Sequence, residues 1–86
     1  MLDSAAYRSA DAFLRLTARE EQVLEMTARG LTNRQIAEGL AVTIHAVKFH
    51  LATIYRKLDV SNRTEATFLY LRRNNAADSP SEGSRT

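Results

Sequence analysis

Residues 32–58 read Thr32-Asn-Arg-Gln-Ile-Ala-Glu-Gly-Leu-Ala-Val-Thr-Ile-His-Ala-Val-Lys-Phe-His-Leu-Ala-Thr-Ile-Tyr-Arg-Lys-Leu58, and this stretch decides the fold. Val47, Leu51, Ile54 and Leu58 recur at spacings of four, three and four, which sets them on one stripe of a helix. Thr43 precedes that run as its N-cap, a residue whose side-chain oxygen takes an early backbone N–H. Upstream, Thr32-Asn-Arg-Gln35 has the spacing of a capping box, followed by the apolar Ile36, Ala37 and Leu40. A shorter helix is expected there, its last turn weakened by Gly39. Only Ala41 and Val42 separate it from the next cap. Two helices joined by so short a turn, the longer one apolar on a single stripe, imply an all-α domain.

The same punctuation continues outward. Thr17-Ala-Arg-Glu20 is another capping box, so a helix should run to about Ala28 and stop at Gly30 in the left-handed conformation. Val23, Leu24, Met26 and Ala28 would face its core, with Leu16 packed ahead of the cap. On the other side, Asn62-Arg-Thr-Glu65 caps a final helix expected through about Arg73. Four helices thus occupy residues 16–74. Residues 75–86, rich in Ser, Asp, Pro and Gly, are expected to be a disordered polar tail. Residues 1–15 form an N-terminal extension. Within it, 3–14 read either as a short leading helix packing through Tyr7, Phe13 and Leu14, or as a linker from an upstream domain.

Whole-chain numbers bound the function. Eighty-six residues allow one domain with one modest core. There is no cysteine, and the two histidines, His45 and His50, are too few for a dedicated metal centre. No nucleophile stands beside a base in a recognisable motif, and three glycines make no phosphate loop. An enzyme, a cofactor and a small-molecule ligand are therefore not expected. No apolar run approaches the roughly 20 residues that span a bilayer. The opening Met1-Leu-Asp-Ser4 lacks the basic and apolar regions of a secretory signal, so a cytoplasmic location is expected.

Net charge is +2, but it is unevenly spread: residues 29–73 hold eight basic against three acidic side chains, whereas 1–28 hold three against five. Such concentration suits a polyanion. At about 100° per residue, the face of the long helix opposite its apolar stripe carries His45, Phe49, Ala52 and Arg56, with Lys48 beside them. A helix of this kind fits the DNA major groove. Lys48 can donate to base edges, Phe49 or Ala52 can meet thymine methyls, and Arg34, Lys57 and the helix N-terminus can meet phosphates.

Leu16-Thr-Ala-Arg-Glu-Glu-Gln-Val-Leu24, Ala28-Arg-Gly-Leu-Thr-Asn33, Ile36-Ala37, Val47-Lys48, His50, Ile54, Lys57-Leu58 and Asn62-Arg-Thr-Glu-Ala66 resemble the LuxR-type helix-turn-helix, also called the GerE or NarL/FixJ type. The likeness runs almost without gaps from Leu16 to about Leu71. It implies a four-helix domain whose third helix, 43–58, enters the major groove, and a bacterial transcription regulator binding double-stranded DNA as a dimer. By position, it implies base reading by Lys48, Phe49, Ala52 and His45. It implies backbone contacts from Asn33, Arg34, Thr43, Lys57, Arg56 and His50, the last being also a candidate for a packed histidine. Ala46, where threonine is common in the family, removes one phosphate hydrogen bond. Ala52, where some members carry a longer polar residue, leaves a methyl contact or none.

The fourth helix offers a second surface. If Ala66 and Leu69 face the core, Phe68 and Leu71 fall outside it, and with Thr64 they form a candidate homodimer contact. RNA polymerase is a further candidate partner, and no membrane association is expected. Two other readings compete with the regulator: a sigma-factor region-four domain, and an interaction module that has lost DNA binding. Asn33, His50 and Asp59–Glu65 fit the LuxR pattern better than the sigma pattern. Family members usually carry an upstream phosphoacceptor or ligand-binding domain, for which the residues before Leu16 are too few. The chain is therefore expected to be either a stand-alone regulator or an excised output domain.

Overall fold

A computed structural model describes the backbone of residues 12–85 and the side chains of residues 12–74. Among the described residues the fold is all-helical: α1 (Ala18–Ala28), α2 (Asn33–Leu40), α3 (Ile44–Leu58) and α4 (Arg63–Arg85), preceded by one helical turn over 12–14. α1 lies against all three of the others, while α2 packs on α3 and α3 on α4. Val23, Leu24, Ile36, Val47, Ile54 and Ala66 are wholly covered. They gather one or two residues from every helix into a single core. Each of the valine, leucine and isoleucine side chains among them contributes about 1.5–3 kcal/mol by leaving water.

Both threonine capping boxes are formed. Glu20 N–H donates to Thr17 Oγ1 at 3.0 Å and Thr17 N–H to Glu20 Oε1 at 2.9 Å. At α2 the corresponding distances for Gln35 and Thr32 are 3.1 and 2.8 Å. The α4 cap differs by one residue from the expected box. Glu65 N–H donates to Asn62 Oδ1 at 3.0 Å, but the Glu65 carboxylate reaches past the cap to Ser61 N–H at 2.7 Å.

The helix ends share one device. Gly30, Ala41 and Asp59 take positive φ of 90°, 57° and 59°, ending α1, α2 and α3. In each case the next residue returns a backbone bond to the helix: Leu31 to Met26, Val42 to Ala37 and Val60 to Tyr55, at 3.0–3.2 Å. Leu31, Val42 and Val60 all pack on the core, the apolar contact that accompanies this termination. At Gly39 a Cβ would lie 2.9 Å from the Met26 methyl, the far end of a flexible side chain that can shift to make room.

Two expectations at the domain's margins are corrected. Of the residues expected to pack from the N-terminal segment, Phe13 is buried but Leu14 is 82% exposed. The turn ends at Arg15 with Arg15 N–H bonded to Ala12 and Leu16 N–H to Phe13, which directs Phe13 inward and its neighbour outward. Tyr7 lies outside the described residues. At the other margin, α4 continues to Arg85 rather than giving way to an unstructured tail after Arg73. The side chains that hold this helix to the body are earlier in it: Ala66, Leu69 and Tyr70 on the core, and Arg73, which lies 4.5 Å over the Phe13 ring.

Candidate nucleic-acid interface

α3 begins at a capped end. Thr43 Oγ1 accepts from Ala46 N–H at 2.9 Å, and no reciprocal bond forms because residue 46 is alanine. The exposed Thr43 hydroxyl keeps its own O–H as a further donor. The N-terminal N–H groups and the dipole behind them make this end favourable to an anion.

Along α3 the two faces separate cleanly. Val47, Leu51, Ile54 and Leu58 are all buried. His45, Lys48, Phe49, Ala52 and Arg56 are all exposed. Phe49 is 68% exposed, an uncommon state for so large an apolar ring on a helix that has a core to pack against. His50 is half-buried at the edge between the faces, its ring edge-on to Phe49 at 6.1 Å. The expected base-reading residues thus share one accessible surface about as wide as a helix. Ile44, 39% exposed, extends its apolar part at the N-terminal end.

The expected backbone-contact residues divide. Arg34, Thr43 and Arg56 are exposed. Asn33 is half-buried, and its amide oxygen accepts from Arg63 Nη1 at 3.2 Å, which leaves its NH2 as a donor. Arg63 also donates from Nη2 to the Leu31 carbonyl, so it ties the start of α4 to the start of α2. Its charge beside Tyr55 only partly offsets burial, which pushes the Tyr55 phenol upward in pKa. Lys57, also expected at the backbone, is half-buried and already bonded within the chain. Its ammonium donates to Glu20 Oε1 at 2.8 Å and to the Arg15 carbonyl at 3.1 Å.

Glu20 is therefore more than a capping residue. It is 6% exposed, and burial alone would raise its pKa. Hydrogen bonds from Lys57 and Thr17, with the Lys57 charge, outweigh burial and hold it below the ordinary value of 4.5. Sequence reasoning missed the roles of Arg15, Glu20 and Arg63. The capping spacing flagged Glu20, but the partners lie 30 to 42 residues away along the chain, beyond any local pattern.

On α4, Phe68 and Leu71 are 58% and 47% exposed and Thr64 is exposed. Ala66 is fully buried and Leu69 and Tyr70 pack on the core. The Arg72 guanidinium stands 5.7 Å from the Phe68 ring. An apolar strip is thus presented on the side of α4 away from the core. Among the described residues, no cluster of side chains could hold a metal ion, and no helix is long and apolar enough to cross a membrane.

The transcriptional regulatory protein LiaR of Bacillus subtilis is 49% identical over 59 residues, covering 69% of this chain and 28% of LiaR. The nitrate/nitrite response regulator protein NarP of Escherichia coli is 44% identical over 66 residues, covering 77% of this chain and 31% of NarP. The response regulator protein VraR of Staphylococcus aureus is 36% identical over 67 residues, 78% of this chain and 32% of VraR. The chain thus spans about a third of the length of these curated relatives. The family model for bacterial regulatory proteins of the luxR family, GerE, matches residues 14–70. That match takes in the buried stripe of α3, its exposed face and both capping boxes, and on it the chain belongs to the luxR family of bacterial regulatory proteins.

Proposed function

We propose that this chain binds double-stranded DNA sequence-specifically as the output unit of a bacterial transcription regulator, with α3 in the major groove. One observation carries the reading: α3 exposes Lys48, Phe49, Ala52 and His45 together, opposite a wholly buried stripe. Lys48 supplies a donor for the acceptor edge of guanine, and Phe49 and Ala52 supply apolar contact for thymine methyls. Arg34, Arg56, Thr43 and the NH2 of Asn33 flank this face as phosphate contacts, with His50 at its edge. Relatives named as transcriptional and response regulators support the same reading. The unit that does this is residues 16–74, its role is binding rather than catalysis, and its place is the cytoplasm.

Thr64, Phe68 and Leu71 on α4 form the surface through which two copies pair. A two-fold dimer places two recognition helices about one helical turn apart and so requires two half-sites. RNA polymerase is the further partner that a regulator bound beside a promoter would meet.

The test is selection from a random-sequence duplex pool, followed by a salt titration on the winning site. The expected result is an enriched, roughly two-fold-symmetric motif whose affinity falls steeply with salt. Arg34→Ala and Arg56→Ala should each flatten the slope of log affinity against log salt by about 0.9. No enrichment, with only weak binding at low salt, would refute the reading. Phe68→Glu should sediment as a monomer; a persistent dimer would remove α4 as the pairing surface.

A further inference from the structure

The N-terminal segment and the end of α3 are joined by reciprocal bonds. Lys57 Nζ donates to the Arg15 carbonyl at 3.1 Å, and Arg15 Nη2 donates back to the Lys57 carbonyl, also at 3.1 Å. Lys57 is the next-to-last residue of α3, where carbonyls lack intrahelical partners and a guanidinium is well placed against the helix dipole. Glu20 Oε1 completes the arrangement, accepting from Lys57 at 2.8 Å and from Thr17 N–H at 2.9 Å. The same segment is fixed at its other end. Phe13 is buried beneath the Arg73 guanidinium, and Arg73 Nη1 lies 3.5 Å from Glu21. Residues 12–17 therefore touch the end of α3 and the flank of α4 together.

The energetics favour this use of Lys57 over a phosphate contact. An ammonium has three N–H donors, and two are taken here. At most one is left for a phosphate, and drawing Lys57 away altogether would leave the nearly covered Glu20 carboxylate without its cation, a costly state for a buried charge. Resting on the proposed DNA-binding role, we propose that Arg15, Glu20 and Lys57 form a clasp that positions α3 for DNA. Lys57 then serves recognition through this clasp rather than through a phosphate. The chain entering the domain is thereby tied directly to the reading helix, so displacement of residues 12–17 changes how α3 is presented.

The experiment uses the full chain with Glu20→Gln, Lys57→Met, their double variant and Arg15→Ala. Glu20→Gln keeps an oxygen for Thr17 N–H while removing the charge, so the cap survives even if Lys57→Met folds poorly. Two readouts are taken at a temperature where circular dichroism shows each variant folded: amide hydrogen exchange in the free protein, and salt-titrated affinity for the selected duplex. The expected result is faster exchange at residues 57–60 in every variant. Each single variant should bind roughly three- to tenfold more weakly. The double variant should be no weaker than either parent, and the salt slope should be unchanged. A slope flattened by about 0.9 in Lys57→Met, with Glu20→Gln binding as well as or better than wild type, would overturn the proposal in favour of a phosphate contact. Unchanged exchange in all the variants would overturn it too. If the wild type binds no duplex, the proposed function falls, and the exchange data alone decide the clasp.

Discussion

The two faces of α3 follow different rules although the same backbone carries both. On one, Val47 and Ile54 are fully covered and Leu51 and Leu58 nearly so; their identities answer to the volume between α1, α2 and α4. On the other, Lys48, Phe49 and Ala52 are exposed, outside the core. Folding requires only that this second face stay compatible with a helix, and alanine, lysine and even a phenylalanine meet that condition. On the proposed reading of α3, the contrast teaches that stability and recognition are separable residue by residue along a single helix. Lys57 at the helix end is the exception, a cation that the fold itself employs.

The largest expected effect tests the buried face. Ile54→Ala should cost about 2–5 kcal/mol, a large share of the roughly 5–15 kcal/mol typical of a domain. Urea denaturation should show a markedly lower midpoint, and DNA binding should fall only as the folded fraction falls. A loss of affinity in fully folded Ile54→Ala protein would break the separation. Lys48→Ala tests the other face. Its unfolding midpoint should stay within about 0.5 kcal/mol of wild type, while affinity for the selected site drops by about 1–3 kcal/mol and base preference relaxes at one position. Equal weakening at every sequence would instead make Lys48 a phosphate contact.

The same contrast explains what could be read from the sequence. The buried face, the three threonine caps and the Gly30 stop were legible because each is a local pattern: a period of 3.6, or an oxygen three residues from the N–H it accepts. The exposed face was legible only as the complement of the stripe, joined to a family likeness. Ala41 and Asp59 were not recognised as left-handed helix ends because neither is glycine. The signal was in the following residue, Val42 or Val60, an isolated apolar side chain just past a helix. The clasp of Arg15, Glu20 and Lys57 and the Arg63 tie could not be read, since hydrogen bonds across 30 or more residues leave no period behind. The exposure of Leu14 has a related cause: the direction of a side chain in a single turn is set by where that turn docks.

Acid should expose the clasp's share of stability. Glu20 is held below its ordinary 4.5 in the folded chain, so its contribution is fully present above that value. It is lost as pH falls through the lower, folded value. Wild type should therefore lose stability below about pH 4.5 faster than Glu20→Gln, whose curve has no such group to protonate. Parallel acid limbs in urea titrations at pH 3–6 would show that the Lys57–Glu20 pair adds nothing measurable.

The smallest effect lies in the turn that joins α2 to α3. Ala41 holds φ of 57°, a left-handed conformation costing an L-residue about 1–2 kcal/mol. Glycine would remove that strain but adds about 0.5–1 kcal/mol of chain entropy to the unfolded state. The difference leaves Ala41→Gly more stable by somewhat under about 1 kcal/mol, measured as a shift in urea midpoint. Asp59→Gly should gain less, because aspartate tolerates the left-handed region. Neither change touches the exposed face of α3, so neither should alter the selected motif. If Ala41→Gly raises stability but weakens DNA binding, then the angle between α2 and α3 depends on the stiffness of an alanine in that turn. The separation of folding from recognition would then fail at the hinge between the two helices rather than on either face of α3.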